Sequence, residues 1–270
     1  MTFFAIIVAT LAAGIGSVWL AALLSFAMMG RFTQHLLSMA AGALLATAFL
    51  NLLPEAFESK VNPETLFATL LVGLVFFFLL DKAELWHHGH EHHHEAPGRD
   101  PAHDHEHARG SGAHAHQPPM SGGWAVLAGD SIHCFGDGIL IASAFMADMR
   151  LGIIAALAVL AHEVPHHMGD LMVLRMTTGN RRAALIKVSL AGSVTALGGV
   201  VGAWLVDMLH GSLPYFLVIA SSSFVYVALA DLIPQLQRRL SARETIAQIT
   251  WLSVGIGLVL VVSALTHGQH

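Results

Sequence analysis

Two stretches of this chain carry side chains able to hold a metal ion, and both sit inside long apolar runs. His162-Glu-Val-Pro-His-His-Met-Gly-Asp170 places three histidines and two carboxylates within nine positions, directly after the uncharged run Leu151-Gly-Ile-Ile-Ala-Ala-Leu-Ala-Val-Leu160. An ionisable residue inside a membrane span costs roughly 2.5–3.5 kcal/mol on insertion scales and marks a functional site by default. On a helix His162 and His166 share a face, as do Glu163 and His167, and Asp170 falls one turn beyond His166. Pro165 cannot donate to the Ala161 carbonyl, so a kink is expected that frees this oxygen toward a cavity or an ion. The second stretch is Gly129-Asp-Ser-Ile-His-Cys-Phe-Gly-Asp-Gly138. Asp130, His133 and Asp137 form a polar stripe on one helical face, and Cys134 adds a soft ligand beside it. Imidazole with carboxylate suits Zn²⁺ and other first-row divalent ions better than Ca²⁺ or Mg²⁺, which prefer oxygen cages.

The elements that must position these groups are membrane helices. Of 270 residues, 55% are hydrophobic and 11% charged, with mean hydropathy +0.64; a soluble domain carries about 25% charge. At about 20 apolar residues per span, the sequence predicts an all-α integral membrane protein of eight helices. They lie near 3–29, 35–57, 64–86, 122–147, 151–176, 182–208, 213–236 and 245–266. The metal site then falls between the fourth and fifth helices. Asn62-Pro63-Glu64 and Leu213-Pro214 read as helix starts. Gly136, Gly138, Ala142, Ser143 and Ala144 let the fourth helix approach a neighbour closely. The single cysteine excludes an intrachain disulfide framework.

Placing the N-terminus outside puts eleven of the 13 Lys and Arg residues on the inner side. Only Lys60 and Arg150 remain outside, a strong positive-inside bias. Both termini are then outside, and the chain divides into helices 1–3 (residues 1–86), a cytoplasmic loop (87–121) and helices 4–8 (122–270). Eleven of the chain's 19 histidines fall in that loop. Among them, His87, His88, His90, His92, His93, His94, His103, His105 and His107 alternate with acidic residues, a composition suited to a disordered metal buffer or sensor.

A weak repeat is also visible. Ala48-Phe-Leu-Asn-Leu-Leu-Pro-Glu55 in the second helix matches Ala228-Leu-Ala-Asp-Leu-Ile-Pro-Gln235 in the seventh. Each carries a polar residue, Asn51 or Asp231, three positions before a proline. The two helices run in opposite directions, as an inverted-topology repeat requires.

These motifs resemble the ZIP family of zinc transporters, in particular its histidine-rich subfamily. His133-Cys-Phe-Gly-Asp-Gly138 is similar to the family's His-Asn-x-x-Asp/Glu-Gly motif. His162-Glu-Val-Pro-His-His-Met-Gly-Asp170 is similar to the subfamily's His-Glu-x-Pro-His-Glu-x-Gly-Asp. The likeness extends to the Leu-Leu-Pro of helix two, to 224–234 of helix seven and to the histidine-rich loop. It implies an eight-helix bundle in a lipid bilayer, commonly a homodimer. It also implies that His133, Asp137, His162, Glu163 and His166 bind the transported metal. Two positions depart from the pattern: Cys134 replaces the asparagine and His167 replaces the second glutamate. The sixth helix offers Ser189, Ser193 and Thr195 where some relatives bring a glutamate to a two-metal site. One firm site with a weaker neighbour is therefore expected, the neighbour or the pathway drawing on Asp130, Cys134, His167, Asp170, Asn51 and Asp231.

The expected function is movement of Zn²⁺, with Fe²⁺, Mn²⁺ and Cd²⁺ as further cargo, toward the cytoplasm. No phosphate-cradling loop is present, so the driving force is a gradient, and no nucleic-acid partner is indicated. Asp207 or His210 would lie on the outer route. The short loops and the absence of a basic leader point to a bacterial inner membrane. Two other classes compete. His162-Glu-Val-Pro-His166 matches the His-Glu-x-x-His of zinc proteases, although Pro165 opposes the regular helix that motif needs. A cation-diffusion exporter shares the His-x-x-x-Asp pair and the histidine loop, but has six spans and a soluble C-terminal domain. A sensor that binds without transporting is a third alternative.

Overall fold

A computed structural model describes residues 1–27, 31–89, 122–209, 211–236 and 241–267, and among these there is no β-strand. The described residues form eight helical stretches. Helix α1 comprises Thr2–Leu11, a π turn at Ala12–Gly16 and Ser17–Ala27. Helix α2 comprises Arg31–Thr47, a π turn at Ala48–Leu52 and Leu53–Phe57. Then follow α3 (Pro63–Gly89), α4 (Gly122–Ala147), α5 (Met149–Thr178) and α6 (Arg181–Met208). Helix α7 comprises Leu213–Tyr226, a π turn at Val227–Leu232 and Ile233–Leu236, and α8 is Ala242–His267. Helix α3 runs three residues past its expected end at 86, to Gly89, and the loop histidines from His90 onward lie outside the described residues.

Seven of these helices are long and apolar enough to cross a membrane. Helix α4, with 26 residues, spans about 39 Å at ~1.5 Å per residue, enough for a bilayer. It is not among the seven, and Asp130, His133 and Asp137 are what dilute its apolar character. Buried share separates inner from outer helices: 72% for the most apolar window of α2 and 61% for α5 and α7, against 11% for α3 and α8.

Local chemistry sets the helix ends as expected. Asn62 accepts from the Glu64 amide through its side chain (3.0 Å) ahead of Pro63, and Pro214 opens α7. Asp148 caps α5 by accepting from the Arg150 amide at 2.8 Å. Asn180 caps α6, accepting from Arg182 and Ala183. Between them Gly179 takes a left-handed turn (φ 63°), where a Cβ would be strained. Pro165 sits inside α5, which continues through it from Met149 to Thr178.

The widened turns fall elsewhere. Pro54 and Pro234 each clash with the carbonyl four residues back, which lies within a π turn in both helices. Leu53 N–H instead reaches the Ala48 carbonyl, and Ile233 N–H the Ala228 carbonyl, each five residues back. The first part of α2 packs on the π turn of α7, and the first part of α7 packs on the π turn of α2. This reciprocal antiparallel contact supports the inverted repeat.

Helix α4 is held against α6 by mutual close approach. A Cβ on Gly138 would overlap the Thr195 carbonyl, and one on Gly198 the Phe135 carbonyl. Gly202 meets Ile139 and the Ala142 methyl in the same way. Gly136, expected to serve this contact, faces open space. The same device joins α1 to α6, where the backbones of Gly14 and Gly192 touch.

Candidate metal centre

Helices α4 and α5 each turn one polar face inward, and the two faces meet. His133 and Asp137 come from successive turns of α4; His162 and Glu163 are adjacent on α5. His162 Nε2 lies 3.2 Å from Asp137 Oδ2 and 3.3 Å from Glu163 Oε1. His133 Nε2 lies 3.2 Å from the same Glu163 oxygen, 3.4 Å from His162 Nε2 and 3.9 Å from Asp137 Oδ2. One donor atom from each of the four falls within 4.8 Å of every other. Tetrahedral Zn²⁺ with bonds of about 2.0–2.1 Å holds its N and O donors about 3.3 Å apart. The four groups are therefore spaced for one such ion.

Their protonation geometry also suits a cation. His162 Nδ1 faces the Ala158 carbonyl at 3.3 Å, a group that can only accept. Nδ1 must then carry a proton, and Nε2 is the atom presented to Asp137 and Glu163. Asp137 Oδ2 and Glu163 Oε1 are both buried. Two buried carboxylates need a compensating cation, either a proton on a facing imidazole or a metal ion.

A second group adjoins the first through the other Glu163 oxygen. Asp130, Cys134, Glu163 and His167 also place their donor atoms within 4.8 Å, and all four are buried. His167 Nε2 lies 3.1 Å from Glu163 Oε2 and 3.5 Å from Asp130 Oδ1. Cys134 Sγ lies 3.6 Å from Asp130 Oδ1 and 3.8 Å from Glu163 Oε2.

His166 stands apart from the first four. Its ring stacks on His133 at 5.4 Å between centroids, its Nε2 is 3.8 Å from Asp170, and it groups with Asp130 and Asp170 instead. Asn51 is buried in the α2 π turn, accepting from Ser263 at 3.2 Å. Asp231 is exposed and accepts from Gln235 at 2.8 Å. Asp231 belongs to none of the His, Cys, Asp and Glu groups found among the described residues. Asp207 is exposed near the end of α6, and His210 lies outside the described residues.

One contact had no sequence signal. Ser17 of α1, just after the first π turn, sits 2.9 Å from His167 Nδ1. A serine in an apolar helix following Gly14 and Gly16 is ordinary, and nothing in its spacing announces this partner.

The family profile described as "ZIP Zinc transporter" matches residues 1–263. The chain belongs to this family. It is thus a member of a transporter family and not an enzyme, which removes the metalloprotease reading, and the match to this family displaces the cation-diffusion family as well. Mouse zinc transporter ZIP13 is 26% identical over 261 residues, covering 85% of this chain and 70% of that protein. The ZIP13 homolog of Drosophila melanogaster is 26% identical, covering 87% and 78%. Human zinc transporter ZIP4 is 32% identical over 136 residues, covering 50% of this chain and 20% of that one. These relatives are animal proteins, so they lend nothing to the bacterial membrane expected from the loops.

Proposed function

We propose that this ZIP member carries Zn²⁺ toward the cytoplasm through the site formed by His133, Asp137, His162 and Glu163. The observation that supports this most is the spacing of those four donors, 3.2–3.9 Å for the five measured pairs, at the meeting of α4 and α5. Two neutral imidazoles and two carboxylates carry a net charge of −2, so a bound divalent ion makes the site neutral. That matters at bilayer depth, where an uncompensated charge is expensive. The donors replace the water the ion sheds, and mixed imidazole and carboxylate ligation binds without trapping, provided the two sides open in turn.

His133 is the partly exposed member of the four, and His166 stacks on it. His166 with Asp130 and Asp170 forms the next station, which receives the ion on its way in. The histidine-rich loop, 87–121, is a separable buffer on the cytoplasmic side, with both termini outside. Fe²⁺, Mn²⁺ and Cd²⁺ are secondary cargo, and the working unit in the lipid bilayer is a homodimer. Zinc uptake into proteoliposomes tests the reading. Asp137→Ala and His162→Ala should each abolish uptake with folded protein retained, whereas His166→Ala should slow it and spare equilibrium zinc binding. Near-wild-type uptake by Asp137→Ala and His162→Ala would place the site elsewhere.

A further inference from the structure

Helices α1 and α6 leave a groove on the outside of the bundle, away from the donor groups. We propose that this groove binds one anionic phospholipid of the inner leaflet, with an acyl chain along the groove and the headgroup phosphate on Arg182. The inference is independent of which residues carry the transported ion.

The groove follows from how the two helices meet. The backbones of Gly14 and Gly192 touch, and a contact made by glycines supplies no side chain to fill the space beside it. About 380 Å³ is left open there, within the range of sites that hold small organic molecules, about 300–1,000 Å³. Ile15 and Trp19 form the α1 wall, and Ile186 and Leu190 the α6 wall. Trp19, Ile186 and Leu190 are 58%, 60% and 64% exposed, so these walls face the surroundings of the bundle, which in a membrane are hydrocarbon. From Arg182 at one end to Ser193 at the other, α6 rises about 16 Å at ~1.5 Å per residue. That is the depth of one leaflet of a hydrocarbon core about 30 Å thick. An acyl chain fits such a groove in length and in chemistry.

Charge selects the headgroup. Arg182 is exposed in the first turn of α6, where no acidic residue stands. Arg181 precedes it, and Arg175 lies across the turn in the last turn of α5. The helix N-terminus adds partial positive charge. The positive-inside bias puts this end at the inner surface, where anionic lipids gather around such residues. Ser189 supplies a further contact. It lines the groove, and its buried hydroxyl has no hydrogen-bond partner among the described residues. Ser193, by contrast, donates to the Leu190 carbonyl at 2.6 Å. Ser189 lies about 10 Å along α6 from Arg182, on the side where a lipid's ester carbonyls hang below its phosphate. Rotation of the Ser189 side chain gives that hydroxyl an acceptor. A second copy of the chain is the competing occupant. In a two-fold pair across this groove the arginines of both copies would crowd one leaflet, which disfavours it.

The test is native mass spectrometry of the purified full-length protein, in detergent with dioleoyl phosphatidylglycerol or dioleoyl phosphatidylcholine at equal concentration. Wild type should retain one phosphatidylglycerol, at least about five-fold in preference to phosphatidylcholine, as expected for one cation at the membrane surface. Arg182→Gln should lower that retention about five-fold, and Arg182→Lys should keep most of it. Ser193→Trp fills the groove without touching Arg182 and should also lose the lipid. Arg243→Gln removes an exposed cation from α8 and should change nothing. Equal retention of the two lipids, or retention unaltered by Arg182→Gln, would overturn the proposal. An equal loss in Arg243→Gln would reduce it to general surface charge and overturn the site. Ser193→Trp protein that separates from a dimer into monomers with its lipid count unchanged would make a second copy the occupant and overturn the proposal as well.

Discussion

The two donor groups on either side of Glu163 are built from the same two helices but differ in access and in kind. The first group, with His133, Asp137 and His162, contains one partly exposed member and only nitrogen and oxygen donors. The second, with Asp130, Cys134 and His167, is buried throughout and contains sulfur. The first His162 ring is oriented by its own helix, through the Ala158 carbonyl. His167 is oriented from another helix, through Ser17 of α1. A group set by its own helix keeps its geometry as long as α4 and α5 stay together. A group that also depends on α1 is sensitive to where α1 sits. The contrast predicts that moving α1 would disturb the second group more than the first.

The largest effect should come from the residue the groups share. Glu163→Gln removes an anionic oxygen from both, so zinc uptake should fall by more than about 100-fold, beyond the range typical of outer-shell changes. Uptake within about two-fold of wild type in Glu163→Gln would mean that Glu163 holds no transported ion. Asp137→Ala breaks the first group alone, and uptake into proteoliposomes should fall comparably. Deleting residues 90–120 should leave the initial uptake rate within about two-fold, because their composition offers almost no large apolar side chains to a core. An inactive, well-folded deletion would make the loop part of the pathway. The smallest effect should be at Asn51→Ala, which loses a hydrogen bond to Ser263, about 1 kcal/mol of stability. Thermal unfolding should register that loss while zinc affinity stays unchanged.

Much of the frame was legible beforehand because hydropathy and helix caps are local signals. The all-α membrane architecture and the starts at Asn62 and Leu213 follow from local pattern, whereas the pairing of 130–137 with 162–170 also leaned on the resemblance of the two motifs to the family. Pro165 lies within a continuous α5, while Pro54 and Pro234 each lie just beyond a π turn that hydropathy does not announce. His166 shares a face with His162 in periodicity, yet stacks outward on His133, since a helix face is broad and only the opposing helix decides which member enters. Ser17 was invisible because its partner is 150 residues away in sequence. Gly136 and Gly138 look alike in the sequence, and only the backbone of α6 tells them apart.

The most direct measurement is zinc uptake into proteoliposomes by wild type and His162→Ala, with zinc binding recorded on the same protein. The geometry predicts that His162→Ala lowers both uptake and zinc affinity by more than about 100-fold, since it removes a donor 3.2 Å from Asp137 and 3.3 Å from Glu163. Uptake at the wild-type rate in folded His162→Ala protein would contradict the assignment of the transport site to the meeting of α4 and α5.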